Sequence, residues 1–219
     1  MIKIAPSLLA ADFSKMGEEI ACVENAGADL LHIDVMDGSF VPNITIGPPV
    51  ITSLKKISKL QFDVHLMIKN PEKHIEAFVK AGADIITVHV EGNYHLHRII
   101  QQIKGYGVKA AVAINPSTSL TSIEWILEDL DMILIMSVNP GFGGQEHIEF
   151  AAKKIRDAKE MIDARGLKVD IEVDGGIDTN NIHKIVKAGA NVIVSGSTIF
   201  KASDRKSIIK ELRERALNG

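Results

Sequence analysis

The sequence has a single cysteine, Cys22, and no strong excess of charge of either sign. Its 25 Lys and Arg residues nearly balance its 28 Asp and Glu residues, which leaves a formal net charge of -3 at pH 7. One cysteine excludes an internal disulfide and favours a reducing compartment. The balanced charge gives no electrostatic footprint for nucleic acid or an anionic membrane. We therefore expect a small-molecule partner, with no nucleic acid and no membrane.

Targeting and cofactor signatures are also missing. Residues 1–4 have neither the apolar core of a signal peptide nor the Arg and Ser richness of a transit peptide. No stretch of the chain is apolar over the length that a membrane span needs. The G-x-G-x-x-G turn of dinucleotide-binding folds does not follow the first candidate strand. The sequence thus predicts a cytoplasmic protein that uses no nucleotide cofactor.

Three similar segments organise the chain, at residues 26–30, 81–85 and 188–192. Each places a glycine after an amphipathic stretch and before an apolar run. This order is typical of a helix that ends at a glycine and leads into a buried strand. The repetition predicts a fold built from βα units.

Eight such units are expected. The candidate strands are residues 2–7, 30–36, 61–67, 84–89, 109–115, 132–137, 170–174 and 192–195. Helical spacing is present in the intervening residues 14–25, 71–80, 119–128, 149–164 and 180–187. Hydrophobic residues make up 46% of the 219 residues, enough for one substantial core. The sequence predicts an α/β fold, a (β/α)8 TIM barrel with residues 1–219 as one catalytic domain; a doubly wound open sheet is the alternative.

Polar side chains stand where several candidate strands end, which is the active-site face of this fold. Ser7 ends the first strand, His32 and Asp34 lie on the second, His65 on the third and Asp174 on the seventh. Alternate residues of a strand share a face, so His32 and Asp34 project together. Two histidines and two carboxylates form a ligand set for Zn²⁺, Fe²⁺, Mn²⁺ or Co²⁺. The alternative is that the histidines are hydrogen-bonded core residues and the acids pair with lysines.

Two further polar residues follow the same pattern on the fourth strand. His89 and Glu91 either extend this site or support its ligands from outside.

The two carboxylates point to proton transfer. The second and seventh strands are three steps apart around an eight-stranded ring, so Asp34 and Asp174 should face each other across its mouth. One acid can remove a proton from a substrate carbon while the other delivers a proton to the opposite face. The result is inversion of that carbon, with a Lewis-acidic metal stabilising the enediolate.

Glycine-rich segments follow the last three candidate strands, at residues 139–145, 174–177 and 195–198. Loops in these positions commonly bind phosphate, because glycine lets backbone N–H groups approach an anion. The alternative is that the glycines serve ordinary turns. We expect a phosphorylated substrate.

Three methionines, Met36, Met67 and Met136, lie near the same ends of their strands. They either pack against a planar reaction intermediate and exclude water, or fill gaps in the barrel core.

Five segments resemble the signature segments of the ribulose-phosphate 3-epimerase family, namely residues 5–13, 32–38 with 40–43, 65–67, 139–145 and 173–177. The resemblance spans nearly the whole chain. It implies a ribulose-phosphate-binding barrel and a metal-dependent isomerase of the pentose phosphate pathway. The reaction implied is reversible inversion of C3 of D-ribulose 5-phosphate to give D-xylulose 5-phosphate.

The resemblance also implies roles for individual residues. One divalent metal ion per chain would be held by His32, Asp34, His65 and Asp174, with Asp34 and Asp174 as the acid/base pair. The implied substrate contacts are Ser7, His65, Gly141, Phe142, Gly143, Gly144, Asp174, Gly175, Gly176, Ile177, Gly196 and Ser197.

Other readings of the same residues stay open. A D-allulose-6-phosphate 3-epimerase would share this fold and chemistry. A phosphosugar lyase usually needs a barrel lysine, and Lys3 and Lys109 lie toward the beginnings of their strands. A non-catalytic phosphosugar-binding barrel would not need two opposed acids. The barrel exterior leaves a homo-oligomer open.

Overall fold

Strands and helices alternate along the chain in the computed structural model, which describes residues 2–218. The strands are β1 (Lys3–Pro6), β2 (Leu30–Met36), β3 (Gln61–Met67), β4 (Ile85–His89), β5 (Lys109–Ile114), β6 (Met132–Met136), β7 (Asp170–Asp174) and β8 (Val192–Ser195). The α-helices are α1 (Met16–Asn25), α2 (Pro48–Lys55), α3 (Ile75–Ala81), α4 (Leu96–Gly105), α5 (Ala151–Ala164), α6 (Ile182–Ala188), α7 (Ser197–Phe200) and α8 (Arg205–Asn218). None of these helices combines the length and the apolar character that a membrane crossing needs.

The strands form one parallel ring. Their order is β1-β8-β7-β6-β5-β4-β3-β2, and the ring is completed by a parallel bridge between Ser7 and His32. At the same seam, the Asp29 N–H donates to the carbonyl of Ile4 at 3.0 Å. The Asp29 carboxylate in turn accepts from the Ile4 N–H at 2.8 Å. The predicted TIM barrel is confirmed, and the open doubly wound sheet is excluded.

The predicted strand bounds agree closely with the structure. Four strands, β2, β3, β7 and β8, begin and end at the predicted residues, and the other four differ by at most one residue at either end. The bounds agree because strands buried on both faces of a parallel sheet appear in the sequence as apolar runs, which are easily recognised.

The predicted helix over residues 119–128 is wrong. Two short 3-10 segments, Leu120–Ile123 and Leu127–Asp129, occupy this stretch. The Ser119 hydroxyl accepts from the Thr121 N–H at 3.3 Å, which satisfies a backbone donor at the start of the first segment. Serine and threonine side chains that bond to nearby backbone compete with a continuous helix, although the apolar spacing is helical.

The two faces of β3 illustrate how the barrel is packed. Phe62, Val64 and Leu66 are buried in the cluster that joins the strands to the helices. Asp63 and His65 alternate with them and are also fully buried. Because alternate residues point to opposite faces, the polar pair lies on the inner face and the apolar residues pack outward. The outer face therefore stabilises the fold, and the inner face is left for chemistry.

Phe62 gives a test of the outer layer. Its ring is fully buried, with the Lys55 ammonium of α2 4.5 Å from the ring centroid. We expect Phe62→Ala to lower the free energy of unfolding by about 3–5 kcal/mol, measured by urea denaturation, because it leaves a cavity and removes buried apolar area. Phe150→Ala, at a ring that is 58% exposed, is the control. Equal losses in the two variants would contradict this packing.

Candidate active site

The structure brings the four predicted metal ligands together. One nitrogen or oxygen atom from each of His32, Asp34, His65 and Asp174 lies within 4.8 Å of the others. The register of β2 and β3 sets Asp34 directly beside His65. Both histidines are fully buried, and Asp174 is partly exposed. The carboxyl groups of Asp34 on β2 and Asp174 on β7 thus lie close together, although their strands are three steps apart in the ring.

His32 is oriented by a carboxylate behind it. Its Nδ1 lies 2.6 Å from Asp63 Oδ2, and an ionised carboxylate only accepts hydrogen bonds. Nδ1 therefore carries a proton, and Nε2 is the atom that faces Asp34 Oδ1, at 3.4 Å. Among residues 2–218 this buried Nε2 has no hydrogen-bond partner. An imidazole nitrogen held in this way by a carboxylate is the usual arrangement of a metal-binding histidine.

Asp34 is the meeting point of the cluster. Its Oδ1 lies 3.1 Å from His65 Nδ1 and faces His32 Nε2, while its Oδ2 accepts from the Ser7 hydroxyl at 2.8 Å. Two nitrogens that converge on one carboxylate oxygen need a cation or a proton between them. Together with the Asp174 carboxylate, these atoms form a mixed nitrogen and oxygen donor set that fits a divalent cation.

The two acids differ in protonation. Burial raises the pKa of Asp34, but the adjacent His32 and His65 outweigh it and hold the pKa well below its usual value. For Asp174, burial and the negative charge of Asp34 act together and raise the pKa to about 7. In the metal-free protein, Asp34 is therefore ionised while Asp174 retains a proton near neutral pH. Opposite shifts in a pair of carboxyl groups are typical of a base and its partner acid.

The two histidines differ as well. Burial lowers the pKa of His65 to about 4 and keeps its ring neutral. Burial also opposes the charging of His32, but Asp34, Asp63 and Glu172 surround that ring and raise its pKa well above the usual value. The metal-free cluster thus holds a proton where a cation fits.

A cavity of about 600 Å³, including its open mouth, lies over the cluster. Its lining includes most of the residues predicted to contact substrate or intermediate: Ser7, Asp34, Met36, Met67, Met136, Gly141, Phe142, Gly143, Gly144, Asp174, Gly175, Gly176, Ile177, Gly196 and Ser197. His65 has no exposed surface and is not part of the cavity lining. It can therefore affect a molecule in the cavity only through residues that it contacts, such as Asp34.

The glycine-rich loops form one wall of this cavity. Gly176 has φ +63°, and a Cβ placed there would lie 2.5 Å from the His147 nitrogen and 2.7 Å from the Gln145 carbonyl oxygen. The loops after β6 and β7 therefore touch backbone to backbone. The Ser195 hydroxyl of β8 donates to the Ile177 carbonyl at 3.0 Å, which joins the third loop to them.

Several site residues escaped the sequence analysis. Asp63 and Glu172 are fully buried beside His32. Each precedes a predicted ligand by two residues on the same strand, so strand alternation was a usable signal for both. Six more residues line the cavity: Leu9, Ala10, Val138, Pro140, Gln145 and Val194. Four of them lie within segments 5–13 and 139–145, which the sequence analysis singled out without assigning these residues a contact, whereas no sequence signal marks Val138 and Val194 as site residues.

Comparison with known proteins places the chain in a family. A family model described as "Ribulose-phosphate 3 epimerase family" matches residues 3–200. The chain belongs to the ribulose-phosphate 3-epimerase family. The ribulose-phosphate 3-epimerase of Bacillus subtilis is 53% identical over 214 residues, which cover 97% of this chain and 99% of that protein. The Synechocystis enzyme of the same name is 54% identical over 97% of this chain and 93% of its own. The protein is accordingly an isomerase, an epimerase.

Solved structures with lower identity share the fold of this epimerase. KGPDC from Streptococcus mutans has a TM-score of 0.74 and 12% identity, covering 99% of this chain and 98% of its own. The 3-hexulose-6-phosphate synthase of Salmonella typhimurium has a TM-score of 0.71 and 20% identity, covering 99% of both chains. At these identities the likeness concerns the barrel alone.

We predict that the epimerase binds Mn²⁺ more tightly as the pH rises toward 7. Binding displaces the proton of Asp174 and the proton on His32, so the affinity should rise by up to about tenfold per pH unit for each proton that is released. Isothermal titration calorimetry between pH 6 and 8 measures this. An affinity that does not change with pH would contradict the prediction.

A matched pair of variants on β7 tests whether Asp174 contributes to Mn²⁺ binding. Asp174→Asn should weaken Mn²⁺ binding by at least roughly tenfold, because it removes an anionic ligand. Asp170→Asn changes the first residue of the same strand, where the carboxylate pairs with Lys3 at 2.7 Å, and should leave the Mn²⁺ affinity unchanged.

Proposed function

We propose that this epimerase interconverts D-ribulose 5-phosphate and D-xylulose 5-phosphate, with Asp34 and Asp174 transferring protons at C3. The observation that carries the proposal is the convergence of these two carboxyl groups, from β2 and β7, on one cavity. Membership of the family supports the choice of substrate. That the enzyme works in the cytoplasm stays a prediction.

The chemical problem is the removal of a proton next to a carbonyl group. With a carboxylate as base this step is uphill by roughly 15 pK units, or about 20 kcal/mol. Asp34 is the ionised member of the pair, and the Ser7 hydroxyl holds its second oxygen in place. It is suited to take the C3 proton while Asp174 donates its own proton to the opposite face. One C3–H bond breaks and another forms, and the carbon is inverted.

The reverse reaction uses the same two groups in exchanged roles. After one turnover Asp34 holds a proton and Asp174 is ionised, which is the arrangement needed to act on the other epimer. No oxidant or reductant is required, because the two epimers have the same oxidation state. The pair of carboxyl groups returns to its first protonation state through the reverse reaction or through proton exchange with water.

A divalent cation completes the proposed site. His32, Asp34, His65 and Asp174 would hold it, and Zn²⁺, Fe²⁺, Mn²⁺ and Co²⁺ all suit this donor set. When bound, the cation supplies positive charge beside the substrate oxygens on which negative charge develops.

The glycine-rich wall suits the phosphate end of the substrate. Glycine residues leave backbone N–H groups open to an anion, and the wall lines the same cavity as the two acids. The buried side chains of Met36, Met67 and Met136 also line the cavity, where they can pack against the planar intermediate and keep water out.

Lysine placement argues against a Schiff-base lyase. Lys3 and Lys109 are the first residues of β1 and β5, at the opposite end of the barrel from the cavity. The cavity lining, as far as residues 2–218 form it, includes no lysine. A Schiff base needs an amine at the reacting carbonyl, so this chemistry has no residue to carry it.

The first test is Asp34→Asn. We expect a loss of turnover of at least roughly 10³-fold in both directions with an unchanged fold, because the base is lost while its shape is kept. Coupled assays measure turnover, and circular dichroism checks the fold. Asp170→Asn is again the control. Near-normal activity in Asp34→Asn would remove this residue as the base.

Isotope exchange separates the reaction classes. Ribulose 5-phosphate incubated with the wild-type enzyme in D₂O should gain deuterium at C3 as xylulose 5-phosphate forms, since the proton is exchanged during inversion. Simple binding leaves C3 unlabelled, and a lyase cleaves a carbon–carbon bond. Running D-allulose 6-phosphate beside it decides between the five-carbon and six-carbon substrates.

The glycine-rich wall is tested by Gly176→Ala. The new Cβ meets backbone of the neighbouring loop and cannot be accommodated by a side-chain rotation, so the loops must separate. We expect KM for ribulose 5-phosphate to rise at least roughly tenfold. Gly107→Ala, at φ +79° with no described atom within 4 Å of the added Cβ, carries the same backbone cost without the clash. Similar KM values for the two variants would contradict this role.

A further inference from the structure

A second row of buried polar side chains lies on the far side of the His65 ring from Asp34. His65 Nε2 is 2.8 Å from His89 Nε2, and the two rings are stacked with centroids 4.9 Å apart. His89 Nδ1 is in turn 3.0 Å from Glu91 Oε2. His89 is 1% exposed, so its contact with His65 is shielded from water, whereas the Glu91 side chain at the end of the row is 23% exposed.

Glu91 is anchored at its other oxygen. Oε1 accepts from the Asn115 N–H at 2.9 Å and from the Thr118 hydroxyl. The Lys154 ammonium of α5 holds this loop by donating to the carbonyls of Asn115 and Thr118, at 2.8 and 2.7 Å. Burial raises the pKa of Glu91, but the hydrogen bonds from His89, Thr118 and Asn115 outweigh it and lower the pKa to about 2. The carboxylate is therefore ionised and can only accept hydrogen bonds.

This fixes the position of each proton along the row. Because Glu91 only accepts, Nδ1 of His89 carries the proton of that bond. In a neutral ring Nε2 of His89 is then bare, and it accepts the proton on Nε2 of His65. Nδ1 of His65 is left bare, and it points at Asp34 Oδ1 from 3.1 Å.

We propose that His89 and Glu91 are positioning residues that hold His65 in the tautomer whose Nδ1 binds the divalent cation. The inference rests on the cation site proposed above. It parallels the contact between His32 and Asp63, which holds the other tautomer. The two histidines thus present different ring nitrogens, Nε2 of His32 and Nδ1 of His65, to the same carboxylate oxygen.

The first test is the dissociation constant of Mn²⁺ for the purified enzyme after bound metal has been stripped. His89→Leu removes both polar atoms and should weaken binding about 10–100-fold, the usual effect of losing a partner behind a ligand. Glu91→Leu should act in the same direction, although it reaches His65 only through His89. His89→Gln, whose amide oxygen can accept the His65 proton, should stay within about threefold of wild type.

A surface histidine provides the control. His97→Gln changes a side chain that is 65% exposed and should leave Mn²⁺ binding unchanged. Equal Mn²⁺ affinity in wild type, His89→Leu and Glu91→Leu would overturn the proposal, because the two residues would then only fill space.

The second test needs no variant and therefore survives if a variant fails to fold. Nitrogen-15 NMR of the Zn²⁺-loaded wild-type enzyme should show a proton on Nε2 of His65 and the metal-shifted resonance on its Nδ1. A proton on His65 Nδ1 would overturn the proposal. A wild-type enzyme that binds neither Mn²⁺ nor Zn²⁺ would overturn the cation site itself, which distinguishes that failure from failure of the positioning role alone.

Discussion

The ionised carboxylate of Asp34 is only 5% exposed, and the whole site is arranged around this buried charge. A buried charge without partners is strongly destabilising, so each of its oxygens must be compensated. Ser7 donates to one oxygen, while the nitrogens of His32 and His65 face the other. The side with the two nitrogens is where positive charge is still needed. The contacts that make the charge tolerable therefore also define where a cation and a substrate can lie.

The register of the barrel supplies those contacts. Pairing of β2 with β3 sets His32 opposite Asp63 and Asp34 opposite His65. Each of these side chains on β2 therefore contacts its partner on the neighbouring strand. A shift of one residue would turn every inner side chain outward. The outer apolar faces prevent such a shift, since Phe62 and its neighbours would lose their packing against the helices. Core packing thus fixes the register, and the register fixes the site.

The strands and the clustering of His32, Asp34, His65 and Asp174 could be predicted because both follow from the two-residue period of buried strands. The glycine-rich wall could be predicted for a similar reason, as its loops follow three consecutive strands. Which nitrogen each histidine presents could not, because the partners that decide it, Asp63 and His89, lie on other strands and act through the register. The helix over residues 119–128 failed for a local reason, since serine and threonine side chains there bond to the backbone.

The two acids show how one residue type acquires two roles. Burial alone raises the pKa of both Asp34 and Asp174; the two histidines reverse the effect for Asp34 only. The proposed epimerisation would exchange these roles at every turnover, so the site would have to tolerate negative charge on either acid. Because the ligand atoms of both acids and both histidines lie within 4.8 Å of one another, the charge stays beside the same groups whichever acid holds it. The total charge of the cluster is the same before and after turnover. Compactness of the cluster therefore suits both the proposed reversible proton transfer and the proposed cation site.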